Sequence, residues 1–168
     1  DVRYEKLCLR DAIREAVKNQ AYFLIRHNFE IKEEIGNSQV YTDQRWLVYL
    51  LDQLIQNAVK YRGENPVLRF SAEMGKENCV LFTVEDNGLG IAREDLPYIF
   101  QKGFVGKNHR KGDYRSTGMG LYFVKEISGL LHLDIRAYSE PGKGSRFELR
   151  FQDLSEHLFL AENTLQKC

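Results

Sequence analysis

At 168 residues the chain is long enough to bury a core and reads as one domain. Its 24 basic and 24 acidic side chains cancel, which excludes a nucleic-acid or membrane-surface binder that works through bulk charge. Three cysteines, Cys8, Cys79 and Cys168, stand too far apart for disulfide or metal spacing and fit a reducing compartment, and no stretch reads as a membrane span or a signal peptide.

From the N-terminus, Tyr4 to Leu9 reads as a short extended segment. Ala12, Ile13, Ala16, Val17, Ala21 and Leu24 recur at helical spacing and predict one helix over 10–26. Phe29 to Ile35 alternates as a strand, Gly36-Asn37 turns the chain, and Val40 to Thr42 is another short strand. Asp43 is a good N-cap for the next helix, whose apolar stripe runs from Trp46 to Val59. Gln53, Asn57, Lys60 and Tyr61 flank that stripe at i, i+4, i+7 and i+8 and share a face. Gln53 and Tyr61 also suit an ordinary solvated helix edge. Asn57 suits it poorly, because Asn is a weak helix former with no local reason to stand mid-helix.

Gly63 to Pro66 breaks the helix. Val67–Met74 and Cys79–Glu85 read as strands paired through a turn at Gly75 to Asn78. Arg93 to Phe100 is a predicted short helix. Lys102 to Arg115 is a polar, basic, glycine-bearing loop. Thr117 to Leu131 is a predicted helix, and Leu133–Tyr138 and Arg146–Phe151 are strands joined by Pro141-Gly142-Lys143-Gly144. Beyond Gln152 the pattern changes. Leu154, Leu158, Phe159 and Leu165 allow a terminal helix, with packing, contact and disorder all left open. The expected architecture is α/β: a two-layer α/β sandwich, a mixed sheet with helices on one face.

Three stretches carry chemistry. The buried strand Val80–Glu85 ends in Asp86-Asn87-Gly88-Leu89-Gly90, where a carboxylate meets two glycines that let the backbone turn sharply. Upstream lies Gln53-Leu54-Ile55-Gln56-Asn57-Ala58-Val59-Lys60-Tyr61. Downstream, Ser116-Thr117-Gly118-Met119-Gly120-Leu121 opens a helix, whose free N–H groups and dipole favour phosphate. Each stretch alone is a weak signal. Their order and spacing together are highly specific.

In that order the motifs resemble the nucleotide-binding domain of sensor histidine kinases, in the superfamily that also holds gyrase, the ninety-kilodalton heat-shock chaperone and the mismatch-repair ATPases. The resemblance covers roughly residues 40–151. It implies the Bergerat-type ATP-binding fold, an ATP-binding catalytic domain over 1–151 and a tail at 152–168. It implies ATP and Mg²⁺ as the bound species, with Asn57 as the metal ligand, Lys60 against phosphate and Tyr61 walling the pocket. Asp86 would accept the adenine amine, with Gly88 and Gly90 letting the backbone approach the base and Ile91 beside it. Ser145 and Thr83 are pocket-lining hydroxyls or ordinary strand residues. Phe100 and Phe104 match the family's paired-phenylalanine box at the ATP lid. Lys107 and Arg115 are the lid cations expected to touch phosphate, the remaining lid charges being solvated, and Thr117, Gly118, Met119, Gly120 and Leu121 form the phosphate seat.

Gln53 stands where many relatives carry Asn and hydrolytic relatives carry Glu. An amide is a poor base for water, so slow hydrolysis and transfer to a protein acceptor are expected, with Asn57, Gln53 and Lys60 as the catalytic set. The Asp52-Gln53…Asn57 arrangement with Ser-Thr-Gly-Met-Gly-Leu-Tyr later looks like the BceS-type kinases that sense peptide antibiotics. His27, His109, His132 and His157 lack the acceptor-histidine pattern. Asp1 is not a Met start, so a larger protein is expected. It would supply a dimerisation domain with the acceptor His and a membrane anchor for this cytoplasmic piece. The expected partners are that domain and a response regulator, with a homodimer at full length, a monomer for the piece, and no nucleic acid. Two other readings stay open: a related ATPase or serine kinase, and a nucleotide-binding module kept for regulation. Gln53 and the phenylalanine pair weigh against the first, and the filled motif positions against the second.

Overall fold

The computed structural model describes residues 1–106 and 118–152. The chain starts with β1 (Glu5–Cys8), α1 (Leu9–Asn19) and α2 (Ala21–Arg26), followed by β2 (Glu30–Glu34) and β3 (Gln39–Thr42). α3 (Gln44–Lys60) leads to the hairpin of β4 (Val67–Met74) and β5 (Val80–Asp86). After a single 3-10 turn at Leu96–Tyr98, α4 (Gly120–Leu130), β6 (Asp134–Glu140) and β7 (Gly144–Phe151) complete the described fold.

Five strands form a mixed sheet in the order β2-β4-β5-β7-β6, parallel between β2 and β4 and antiparallel elsewhere, and β1 pairs with β3 in a separate ribbon. Alternation decides which face is covered. Leu68, Phe70, Val80, Phe82, Val84, Phe147, Leu149 and Phe151 point to one side and are buried with α3's Leu47, Leu50, Leu51, Leu54 and Ile55. Phe70 and Phe82 stack across β4 and β5 with centroids 6.5 Å apart. The opposite positions are mostly polar, and Arg69, Glu85, Arg146 and Arg150 among them are at least partly exposed. This is the expected two-layer sandwich with helices on one face.

Asp43 caps α3 as expected. Its carboxylate accepts the backbone N–H groups of Arg45 at 3.0 Å and Trp46 at 3.5 Å, and also that of Arg3 at 2.7 Å. Most strand ends shift by one or two residues, and three elements differ by more. The helix over 10–26 is two helices, divided at Gln20 (φ −101°, ψ 8°), where the Asn19 amide reaches across to Asp52 at 3.2 Å. The segment 93–100 holds only the 3-10 turn. Pro97, in the first turn, has no N–H to bond back to the Arg93 carbonyl, and the segment stops at one 3-10 turn. α4 starts at Gly120 rather than 117, behind a Gly118 with φ of +67°. Lys107, Arg115, Thr117 and the tail positions Leu154, Leu158, Phe159 and Leu165 lie outside the described residues.

Candidate active site

The Asp86–Gly90 loop is held from two sides. The Leu89 N–H donates to the carbonyl of Tyr61, at the end of α3, at 2.8 Å, and the Gly142 N–H, from the β6–β7 turn, donates to the Leu89 carbonyl at 2.8 Å. Both glycines sit at these contacts. A methyl at Gly88 would strike the Tyr61 carbonyl, and one at Gly90 (φ +72°) would strike the Glu140 carbonyl. Both positions thus require glycine for a tight approach to protein backbone, and Gly90 also lines the cleft. Asn87 extends the β4–β5 ladder with its side chain, accepting the Val67 N–H at 2.7 Å and donating to the Asn65 carbonyl at 3.1 Å.

This loop forms one end of a cleft between α3, α4 and the sheet. The inner part is lined by Asn57, Tyr61, Asp86, Gly90, Ile91, Leu121, Phe104 and Ser145, with Ala92, Asp95, Ile99 and Gly106. The outer part is lined by Gln53, Gln56, Asn57, Lys60, Tyr61, Gly118, Gly120 and Leu121, with Ile99 and Phe104. Asn57 belongs to both and stands at the joint, one helical turn from Gln53 and near Lys60. The inner part is walled mainly by apolar groups around two carboxylates, Asp86 and Asp95. The outer part is polar, with an ammonium at one side and the start of α4 at the other.

Burial lifts the Asp86 carboxyl to about 6. The backbone N–H groups of Gly88, at 2.9 Å, and of Ser145 pull it back down only in part. Lys60 is shifted down by burial, and its ammonium lies 5.4 Å from the Tyr61 ring centroid. The two phenylalanines diverge. Phe104 walls the cleft, whereas Phe100 packs edge-on to Phe147 of the sheet at 6.4 Å and works as an anchor. Met119 is the N-cap residue of α4. Thr83 alternates to the face of β5 opposite Asp86 and reads as a strand residue.

Reasoning from sequence missed the cleft residues Ala92, Asp95, Ile99, Gly106 and Gln56. A strict helix over 93–100 hid Asp95 and Ile99 behind the wrong periodicity. Gln56 precedes Asn57 and carried no separate signal.

A divalent cation fits the joint only with help. Among the described residues no group of three or more His, Cys, Asp or Glu side chains converges. Asn57 offers one amide oxygen, and its side chain makes no hydrogen bond to another described residue. A hard cation would fill its remaining positions with phosphate oxygens and water, the habit of Mg²⁺ rather than of Ca²⁺ or Zn²⁺. Among the described residues no helix is long and apolar enough to cross a membrane.

Comparison with known proteins points the same way. The chain is 31% identical over 153 residues to the sensor histidine kinase YxdK of Bacillus subtilis, covering 90% of this chain and 46% of that protein. It is 32% identical over 156 residues to the sensor protein BceS of Halalkalibacterium halodurans, covering 93% and 46%. The chain thus spans about half the length of the curated relatives it matches. Its fold is that of the solved mycobacterial sensor histidine kinase MprB, with a TM-score of 0.76 at 16% identity over 88% of this chain and 97% of that one. Residues 42–155 match the family described as Histidine kinase-, DNA gyrase B-, and HSP90-like ATPase. With the cleft, the mixed sheet and this match together, the chain belongs to that ATPase family, as a catalytic domain of the sensor histidine kinase type.

Proposed function

We propose that residues 1–151 bind Mg·ATP in this cleft and donate its γ-phosphoryl group to a histidine of a dimerisation domain outside this chain. Residues 152–168 are a tail beyond the catalytic domain. The whole protein is a membrane-anchored homodimeric sensor whose cytoplasmic part passes the phosphoryl group on to a response regulator.

The observation that carries this reading is the polarity of the cleft. The Asp86 carboxylate, desolvated on the wall of a mostly apolar inner part that Asp95 also lines, suits a flat base with an exocyclic amine. The outer part opens between Lys60 and the N-terminus of α4, an arrangement suited to phosphates. Asp86 accepts the adenine amine beside Ser145, and Gly88 and Gly90 hold its loop in place. Ile91, Phe104, Leu121 and Tyr61 wall the base, and Phe100 anchors that wall. Asn57 holds Mg²⁺, which when bound neutralises phosphate charge. Lys60 faces phosphate oxygens, Thr117 to Gly120 seat the chain of phosphates, and Lys107 and Arg115 reach it from the lid. With Gln53 at the outer end, no carboxylate base for water lines it among the described residues, which favours a protein acceptor.

Calorimetric titration with ATP and GTP, with Mg²⁺ and with chelator, tests the binding half. Selective, Mg²⁺-dependent ATP binding is expected. In Asn57→Ala the Mg²⁺-dependent part is expected to vanish with the fold intact. Adding a dimerisation domain with its acceptor histidine tests transfer in trans. ATP binding with no phosphorylation of that domain would refute the kinase assignment.

A further inference from the structure

We infer that Ser139, on β6, is a positioning residue that orients the Ser145 hydroxyl so that the closed end of the cleft presents only acceptors, selecting a 6-amino over a 6-oxo purine. The inference rests on the adenine-nucleotide reading above and deepens it.

A serine hydroxyl has one proton to give and two lone pairs to receive. The Ser139 Oγ gives its proton to the Gly144 carbonyl at 2.7 Å. It accepts the Ile91 N–H at 2.7 Å. Its third neighbour is the Ser145 Oγ, at 3.0 Å. With the proton committed and one lone pair taken, Ser139 meets Ser145 only as an acceptor, so the single Ser145 proton points at Ser139. Ser145 is buried and lines the inner cleft, where it pairs across the ladder with Asp86. What its oxygen shows to the cleft is lone pairs. The ionised Asp86 carboxylate beside it also only accepts.

A 6-amino group brings two protons to these two acceptors. A 6-oxo group brings none and meets lone pairs on both sides, the kind of mismatch that a site built for a donor rejects strongly. Ser139 does not line the inner cleft itself. It acts through the direction of a neighbour's proton. Without it, the Ser145 hydroxyl is free to swing inward and donate to a 6-oxo group.

The test is calorimetric titration of this chain and its variants with ATP and with inosine triphosphate, which differs at the 6-position and its adjoining ring nitrogen. Wild type is expected to prefer ATP. In Ser139→Ala the ATP-to-inosine-triphosphate affinity ratio is expected to narrow by roughly fivefold to tenfold, the size of one neutral hydrogen bond. Ser139→Thr, which keeps the hydroxyl, is expected to hold the wild-type ratio. Against a Ser145→Ala background, Ser139→Ala is expected to change the ratio no further, because the proton it controls is gone. Should Ser139→Ala fail to fold, Ser139→Cys, whose thiol is a weak acceptor, is expected to narrow the ratio in the same direction. A folded Ser139→Ala or Ser139→Cys variant that weakens both nucleotides equally, or changes neither, overturns the inference while leaving the adenine reading standing. A folded wild type that binds neither nucleotide overturns both.

Discussion

At Asp86, burial and ligand binding pull in opposite directions. Loss of water raises its carboxyl from the ordinary 3.8 to about 6. The folded chain therefore holds that proton more tightly than the unfolded chain does. The stability this confers is whole below the unfolded value and is lost as the pH rises through about 6. An amine donor favours the carboxylate instead. Nucleotide affinity is thus expected to fall as the pH drops below about 6 and to be flat above it, with proton release on binding near that pH, as read by calorimetry between pH 5 and 8. Asp86→Asn is expected to abolish the step, weaken ATP, and raise the nucleotide-free melting temperature at neutral pH. The same step in the variant would assign it to another group. At the opposite end, Gln53 lies against the start of α4, its Oε1 about 3.4 Å from where a methyl on Gly120 would sit. Gln53→Glu supplies a base for water, and basal phosphate release is expected to rise on the order of tenfold to a hundredfold. An unchanged rate would mean that water at Gln53 does not reach the reacting phosphate. Asn57 and Asp86 were legible in the sequence because each broke a local rule, an Asn in mid-helix and a carboxylate ending an apolar strand. Ser139 and Asp95 broke none.

Among the elements, α3 depends most visibly on one cap. Asp43 is almost wholly buried, holds three backbone N–H groups, and meets the Arg45 guanidinium at 2.9 Å. That guanidinium first, and the N–H donors after it, hold its carboxyl at about 2. Its contribution to stability is present above the unfolded 3.8 and is lost as the pH falls toward 2. Asp43→Ala is expected to cost about 1–3 kcal/mol in denaturant unfolding, the upper end of a cap's range and beyond, because the Arg3 N–H also loses its acceptor. A loss below a few tenths would show that water replaces the cap. The hairpin of β4 and β5 was readable because alternation and a polar turn agree. Segment 93–100 misled because Leu96, Ile99 and Phe100 mimic a helical stripe while Pro97 forbids its hydrogen bonds. The Gln20 break escaped notice because the apolar period runs straight through it.

On the scale of the whole molecule, the base end of the cleft is a junction of α3, the Asp86–Gly90 loop and the β6–β7 turn, drawn from three separated parts of the chain. Gly90 is its keystone. Gly90→Ala adds a methyl against the Glu140 carbonyl at a φ of +72°. It is expected to lower the melting temperature by roughly 5–10 °C and to weaken ATP by more than about tenfold. A variant that loses stability but keeps its ATP affinity would separate the junction from the site. Strand order was the part of the fold that periodicity does not carry. The parallel pairing of β2 with β4 depends on how the α3 connection crosses, and alternation looks the same for either neighbour.

The Gly103 N–H donates to the Gly118 carbonyl at 3.1 Å. This bond joins the two shoulders of residues 104–117, so the ring closes on the rigid body whatever the length of chain between. Closure entropy grows only logarithmically with that length, about 0.6 kcal/mol for each doubling. Insertions and deletions within 107–117 are therefore expected to leave the register of α4 and the sheet untouched. The chain between residues 106 and 118 is then free to change length in evolution or in engineering while the frame that holds its two ends stays as it is.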